Sequence, residues 1–155
     1  MRARTQHVGA VLIVNDDFDA ALEADGWHAG QDDLAGRDLA RDRAKLGDRL
    51  FGVSCGIASE AIAAVGFGAD YVGTGPFAGT ASKEDAGAPI GAAGIAAVVA
   101  VIHKPVVAIG GIGLDDLAAV RSSGAAMAAV IAAIAHAPNP EQRTRELVAR
   151  WASLR

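Results

Sequence analysis

The chain has one cysteine, Cys55, among 155 residues. That rules out an internal disulfide, suits a reducing compartment and leaves no thiol pattern for a structural zinc. Aromatic residues are scarce, with four Phe, two Trp and one Tyr, so a core must be built mainly from small aliphatic side chains, in tightly packed helices on a buried sheet. No apolar run is long enough to cross a bilayer: the stretch from Gly94 to Ile102 falls well short of the roughly 20 residues a spanning helix needs. The N-terminus offers Arg2 and Arg4 and then Thr5, Gln6 and His7 in place of an apolar core, so it does not read as a signal peptide. Nor does one sign of charge dominate. Fourteen Lys and Arg against eighteen Asp and Glu give a net charge of -4, and the scattered cations form no stripe for a nucleic-acid backbone. These absences predict a soluble, cytoplasmic chain with neither nucleic acid nor membrane as partner. With no Pro-rich or Ser-rich linker, residues 1–155 read as a single domain.

What is present is an alternation. Short β-branched runs are followed by longer Ala-rich segments of helical period, the pattern of repeated βα units around a parallel sheet. Strands are predicted at Ala10 to Val14, Gly26 to Ala29, Leu50 to Val53, Tyr71 to Thr74, Val106 to Ile109 and Met127 to Ile131. Helices follow each of them. The helix after Val53 is expected to share Ala61, Ile62 and Val65 on one face, and the helix after Ile109 to begin near Leu114 and Asp115 and stop at Gly124. The last helix should open on Asn139 as N-cap, with Pro140 in the first helical position and Gln142 at capping-box spacing. Six βα units make an α/β fold of (β/α)-barrel (TIM-barrel) type that is incomplete. A closed barrel takes eight strands and typically about 250 residues, so this chain is short by about two units. Three arrangements follow: a truncated barrel, an open sheet, or closure by strands of another subunit. Two free parallel edges invite association, which leaves a homo-oligomer open.

In such folds ligands gather at the carboxyl ends of the strands, and polar residues cluster there. The first strand is followed by Asn15, Asp16 and Asp17, and the second by His28, Gly30, Gln31, Asp32 and Asp33. Oxygen ligands at two adjacent strand ends suit Mg²⁺, which commonly takes one or two carboxylates and completes its shell with water and substrate phosphate. The alternative is that Asp16 and Asp17 cap a helix and Asp32 and Asp33 lie in a solvated loop; taken alone, capping is favoured. Ser54 ends the third strand, either as a phosphate contact or as a helix-entry residue. Neighbouring Cys55 lacks a nearby His base, which argues against a nucleophile. The fourth strand leads into Gly73-Thr74-Gly75-Pro76-Phe77-Ala78-Gly79-Thr80-Ala81-Ser82-Lys83. Glycine for backbone approach, two hydroxyls and one cation can grip phosphate oxygens there, although the Gly-Lys-Ser/Thr ending of a Walker A loop is missing. Gly110 and Gly111 follow the fifth strand, and Ile131 and Ala132 the sixth. Such turns can present backbone N–H groups to phosphate, or the glycines can serve only a tight turn. His28 is read as packing or hydrogen-bonding near its strand end, His7, His103 and His136 as surface residues, and none as having an acid-base partner.

Taken together, Asn15-Asp16-Asp17, Gly30-Gln31-Asp32-Asp33, Gly52-Val53-Ser54, Gly75-Pro76 with Thr80, Ser82 and Lys83, and Ala108-Ile109-Gly110-Gly111-Ile112 resemble the motifs of the thiamine phosphate synthases, in family order. The similarity runs from about Val11 to the C-terminal helix. It implies a transferase of thiamine biosynthesis that joins hydroxymethylpyrimidine pyrophosphate to thiazole phosphate, giving thiamine phosphate and pyrophosphate, by a dissociative path with pyrophosphate leaving first. It implies further that Asp16 and Asp33 ligate Mg²⁺ and that Asn15, Ser54 and Lys83 hold the pyrophosphate, Ser54 and Lys83 being the catalytic pair. Thr80, Ser82, Gly110 and the backbone at Ile131 and Ala132 would hold the thiazole phosphate. The sequence departs from the family at four places. A basic Gln-x-Arg-Glu-Lys-like strand would precede Met1, Gly79 stands for a Pro, Cys55-Gly56-Ile57 replaces a small-His-Thr run, and Ala132 replaces a Ser.

Two other readings stay open on the residues: a non-catalytic phosphate-binding relative, and a different barrel enzyme acting on a small phosphorylated metabolite. Against a sugar-phosphate isomerase, no Glu or Lys stands at a strand end as a proton-transfer base.

Overall fold

The computed structural model describes residues 2–80, 82 and 87–154. Six strands form one parallel sheet in sequential order: β1 (Ile13–Asn15), β2 (Gly26–Ala29), β3 (Leu50–Cys55), β4 (Tyr71–Thr74), β5 (Val106–Ile109) and β6 (Met127–Ala129). The helices are α1 (Arg2–His7), α2 (Phe18–Ala21), α3 (Gln31–Leu34), α4 (Leu39–Leu46), α5 (Ala58–Gly66), α6 (Gly91–Val99), α7 (Leu117–Ser122), α8 (Ala132–Ala135) and α9 (Pro140–Ser153). The expected βα alternation is therefore present. β1 and β6 each pair on one side only, which makes the sheet a curled half-barrel rather than a closed one. α1, ahead of the first strand, was not foreseen.

Period-two alternation divides the sheet into two chemically distinct faces. Trp27, Ala29, Phe51, Val53, Cys55, Val72, Thr74, Val106 and Ala108 are at most 2% exposed. Except for Thr74, they join Phe18, Leu46, Ala61, Ala64, Ile95, Val98, Leu117, Val120 and Leu147 of the helices in one buried cluster. At its aromatic end Trp27 stacks on Phe51 at 5.1 Å and meets Phe18 edge-on at 4.9 Å. Arg37 lies over both Phe18 and Trp27 while bonding Asp42 at 2.7 Å. The alternate positions, Asn15, Gly26, His28, Gly52, Ser54, Tyr71 and Gly73, line the concave face.

The differences from the sequence-based boundaries have local causes. β1 starts at Ile13 instead of Ala10 because the ladder with β2 begins at Ile13↔Gly26. Leu12 instead exchanges hydrogen bonds with Asp25, through the Asp25 side chain and backbone. β3 runs on to Cys55 because Gly73 and Thr74 offer ladder partners to Ser54 and Cys55, so Ser54 lies inside the strand. β6 stops at Ala129, opposite Ile109, where Gly110 turns β5 away with φ +93°; Ile131 becomes the residue before α8. α7 begins at Leu117 rather than near Leu114, the intervening turn being closed by Gly113 N–H donating to Asp116 Oδ2 at 2.8 Å. In α5 the buried positions are Ala61 and Ala64, and Ile62 is 54% exposed, because a 100° step carries it past the apolar stripe.

Candidate functional site

Asn15 closes β1, and the chain then bends at Asp16, whose φ is +64°. The bend is tied to the neighbouring strand by Asp16 N–H donating to the His28 carbonyl at 2.9 Å and by Trp27 Nε1–H donating to the Asp16 carbonyl at 3.1 Å. Capping falls to Asp17 alone, whose Oδ1 accepts from Ala20 N–H at 3.0 Å at the start of α2. The capping reading thus holds for Asp17, whereas Asp16 stands at the bend before it. Asp32 and Asp33 lie in the first turn of α3, not in a solvated loop. Asp33 is half-buried, and its Oδ2 accepts from Gly30 N–H at 2.8 Å. Because β1 and β2 are paired, Asp16 and Asp33 follow adjacent strand ends.

Among the described residues no group of three or more His, Cys, Asp or Glu forms a metal cluster. Two carboxylates at neighbouring strand ends nonetheless fit a hard cation that draws the rest of its shell from water and phosphate.

A side-chain chain crosses the concave face beside them. His28, Gly52 and Tyr71 stand level on three successive strands. Tyr71 reaches across Gly52 to place its hydroxyl 3.0 Å from His28 Nδ1, and His28 Nε2 lies 2.9 Å from Ser54 Oγ. The Ser54 carbonyl accepts from Gln31 Nε2 at 2.6 Å, tying α3 to β3. Burial lowers the His28 pKa from 6.5, with the Asp33 charge acting in the opposite direction; the imidazole is neutral at pH 7. Burial also pushes the Tyr71 phenol up to about 12. Cys55 faces the helices, and burial, reinforced by the charge of Glu60, pushes its thiol up to about 12, so it is no thiolate nucleophile. The expectation that His28 hydrogen-bonds near its strand end is met, but it has two side-chain partners where none was foreseen. They lie 26 and 43 residues away. Only the shared inward parity of His28, Ser54 and Tyr71 signalled them.

The loop after β4 and the turn after β5 are joined. Phe77 N–H donates to the Ile109 carbonyl at 2.8 Å and Ala78 N–H to the Gly110 carbonyl at 3.0 Å. Gly110 and Gly111 both have positive φ, and a Cβ on Gly110 would stand 2.6 Å from Pro76 Cβ. The backbones approach so closely that only glycine serves. Thr80 is half-buried with Oγ1 accepting from Ser82 N–H at 3.2 Å, and Ser82 is exposed. Lys83 lies outside the described residues. Ile131, 59% exposed, and Ala132 head α8. His7, His103 and His136 are exposed.

The family model for thiamine monophosphate synthase matches residues 1–134. The thiamine-phosphate synthase of Herpetosiphon aurantiacus is 47% identical over 142 residues, 90% of this chain and 67% of that protein. That of Methanoregula boonei is 46% identical over 151 residues, 95% of this chain and 68% of that protein. The solved thiamine phosphate pyrophosphorylase from Pyrococcus furiosus superposes with a TM-score of 0.87 at 32% identity, covering 98% of this chain and 72% of that one. At 16% identity, 3-hexulose-6-phosphate synthase from Salmonella typhimurium gives a TM-score of 0.72 over 99% of this chain and 79% of its own, a likeness of fold alone. The chain spans about two thirds of the length of the curated relatives it matches. With a family model over most of its length and relatives nearly half identical to it, the chain belongs to the thiamine monophosphate synthase family.

Proposed function

We propose that the chain is a transferase that condenses hydroxymethylpyrimidine pyrophosphate with thiazole phosphate, giving thiamine phosphate and releasing pyrophosphate. Family membership carries this reading. The carboxyl ends of consecutive parallel strands support it, because oxygen and amide donors of the kinds the chemistry needs follow one another there in sheet order.

A dissociative path makes its main demand where charge grows on the departing pyrophosphate. Asn15 and the Ser54 hydroxyl contact that group, and Lys83 adds a charge-assisted bond. Asp16 and Asp33 are the residues that would hold Mg²⁺, which supplies charge neutralisation of the diphosphate when bound. The second phosphate, on the thiazole, is held by Thr80, Ser82, Gly110 and the backbone at Ile131 and Ala132. A general base is dispensable, since the thiazole nitrogen attacks with its own lone pair. That agrees with a site whose only histidine is neutral and already hydrogen-bonded on both ring nitrogens. Small phosphorylated metabolites are thus the partners, and the cytoplasm, a reducing compartment that suits the single free Cys55, is the compartment.

Among the described residues no helix is long and apolar enough to cross a membrane. The test is turnover of both precursors to thiamine phosphate with Mg²⁺. Lys83→Ala should lower kcat by roughly tenfold to a hundredfold, the loss of one charge-assisted hydrogen bond of about 1.5–3 kcal/mol. A Lys83→Ala variant as fast as the parent would contradict the assigned role, and absence of any product from the parent would contradict the reaction.

A further inference from the structure

The concave face carries a hydrogen-bonded chain that the roles above use only at one end: the Tyr71 hydroxyl, the His28 ring and the Ser54 hydroxyl, joined at 3.0 and 2.9 Å. The sheet is arranged to make room for it. A Cβ on Gly52 would fall 2.1 Å from Tyr71 Cζ, and one on Gly73 would fall 3.1 Å from His28 Cε1. The Tyr71 ring therefore occupies the space over a glycine of the neighbouring strand β3, and the His28 ring reaches toward a glycine two strands away on β4.

A neutral imidazole has one N–H donor and one acceptor nitrogen, whereas each hydroxyl can donate and accept. The chain accordingly has two directions. In one, Tyr71 O–H donates to Nδ1, Nε2–H donates to Ser54 Oγ, and the Ser54 proton is free. In the other, Ser54 donates to Nε2, Nδ1–H donates to Tyr71, and the Tyr71 proton is free. Among the described residues neither hydroxyl oxygen has a second hydrogen-bond partner, so each direction leaves one proton to spare.

The two spare protons are in different places. Ser54 stands two residues further toward the carboxyl end of its strand than the level shared by His28, Gly52 and Tyr71. An anion at the strand ends can accept only the Ser54 proton. We propose that Tyr71 and His28 are positioning residues that aim the Ser54 hydroxyl proton at bound pyrophosphate, donation running from Tyr71 to His28 to Ser54. This rests on the reading of Ser54 as a pyrophosphate contact. Accepting from His28 also polarises the Ser54 O–H, so the bond to the anion strengthens along the chain.

A double-mutant cycle on the binding of pyrophosphate in the presence of Mg²⁺, measured by calorimetry, tests it. Tyr71→Phe removes one oxygen and should weaken binding about threefold to tenfold, the worth of a neutral hydrogen bond. In a Ser54→Ala background the same change should cost less than about twofold, because its route is already cut. The tautomer is an independent readout. In the pyrophosphate-bound parent, ¹⁵N shifts of His28 should show a protonated Nε2 and a bare Nδ1. Equal losses from Tyr71→Phe in both backgrounds, or a proton on Nδ1 in the bound parent, would overturn the chain while leaving the pyrophosphate reading intact. A parent that binds no pyrophosphate would overturn both.

Discussion

A side chain at Gly52 would collide with the Tyr71 ring, and this near-contact shows how the residue scale works here. Glycines on the concave face are clearings across which longer neighbours reach one another. Tyr71 is the one tyrosine in the chain, so its phenol can be titrated by ultraviolet absorbance without overlap. The folded protein should ionise near pH 12, against about 10 for an exposed phenol. The folded pKa is raised, so between those values the native state holds a proton that the unfolded chain has lost. Stability must therefore fall as pH rises through this window. An ionisation at about 10 in the folded state would contradict the burial. At this scale the sequence was partly legible. The places of Asp16, Asp33, Ser54 and Gly110 at or beyond strand ends could be read from it. The link between His28, Tyr71 and Ser54 could not, because it depends on register between strands far apart in the chain.

At the scale of elements, β2, β4 and β5 have the bounds expected from their β-branched and apolar runs. Where the expectation slipped, pairing decided the matter: β1 and β6 are edge strands, and each is cut to the length of its single partner ladder. Capping signals were more dependable, because a cap acts within a few residues. Asn139 Oδ1 accepts from Gln142 N–H at 3.0 Å, with Pro140 in the first position of α9. Only half of the expected capping box forms, since the Gln142 side chain turns to Glu146 instead. Gly124 takes φ +87° just beyond α7, as its place predicted. Asn139→Ala should destabilise the protein by about 1 kcal/mol, read as a lower urea midpoint at unchanged slope. An unchanged midpoint would mean that α9 is held by its packing on α7 and α8 without help from the cap.

At the scale of the whole molecule, six parallel strands in chain order bring their carboxyl ends to one end of the sheet, and the residues assigned to ligands either lie in the last positions of a strand, as Asn15 and Ser54 do, or follow a strand in sequence. Sequential βα order and the short apolar runs made this topology legible. The incomplete barrel and its two free edges were read from the count of six βα units, but the choice of a curled half-barrel over an open sheet was not, because it arises from how strands are laid side by side. The central claim is that the strand ends form one pocket for a metal-bound diphosphate and a second phosphate. The most direct measurement is amide NMR of the protein titrated with Mg²⁺ and pyrophosphate, and then with thiazole phosphate. The first ligand should move the amides of Asp16, Asp33 and Ser54, and the second those of Thr80, Gly110 and Ala132. Perturbations confined to the amino ends of the strands, or scattered over the helices, would contradict the claim.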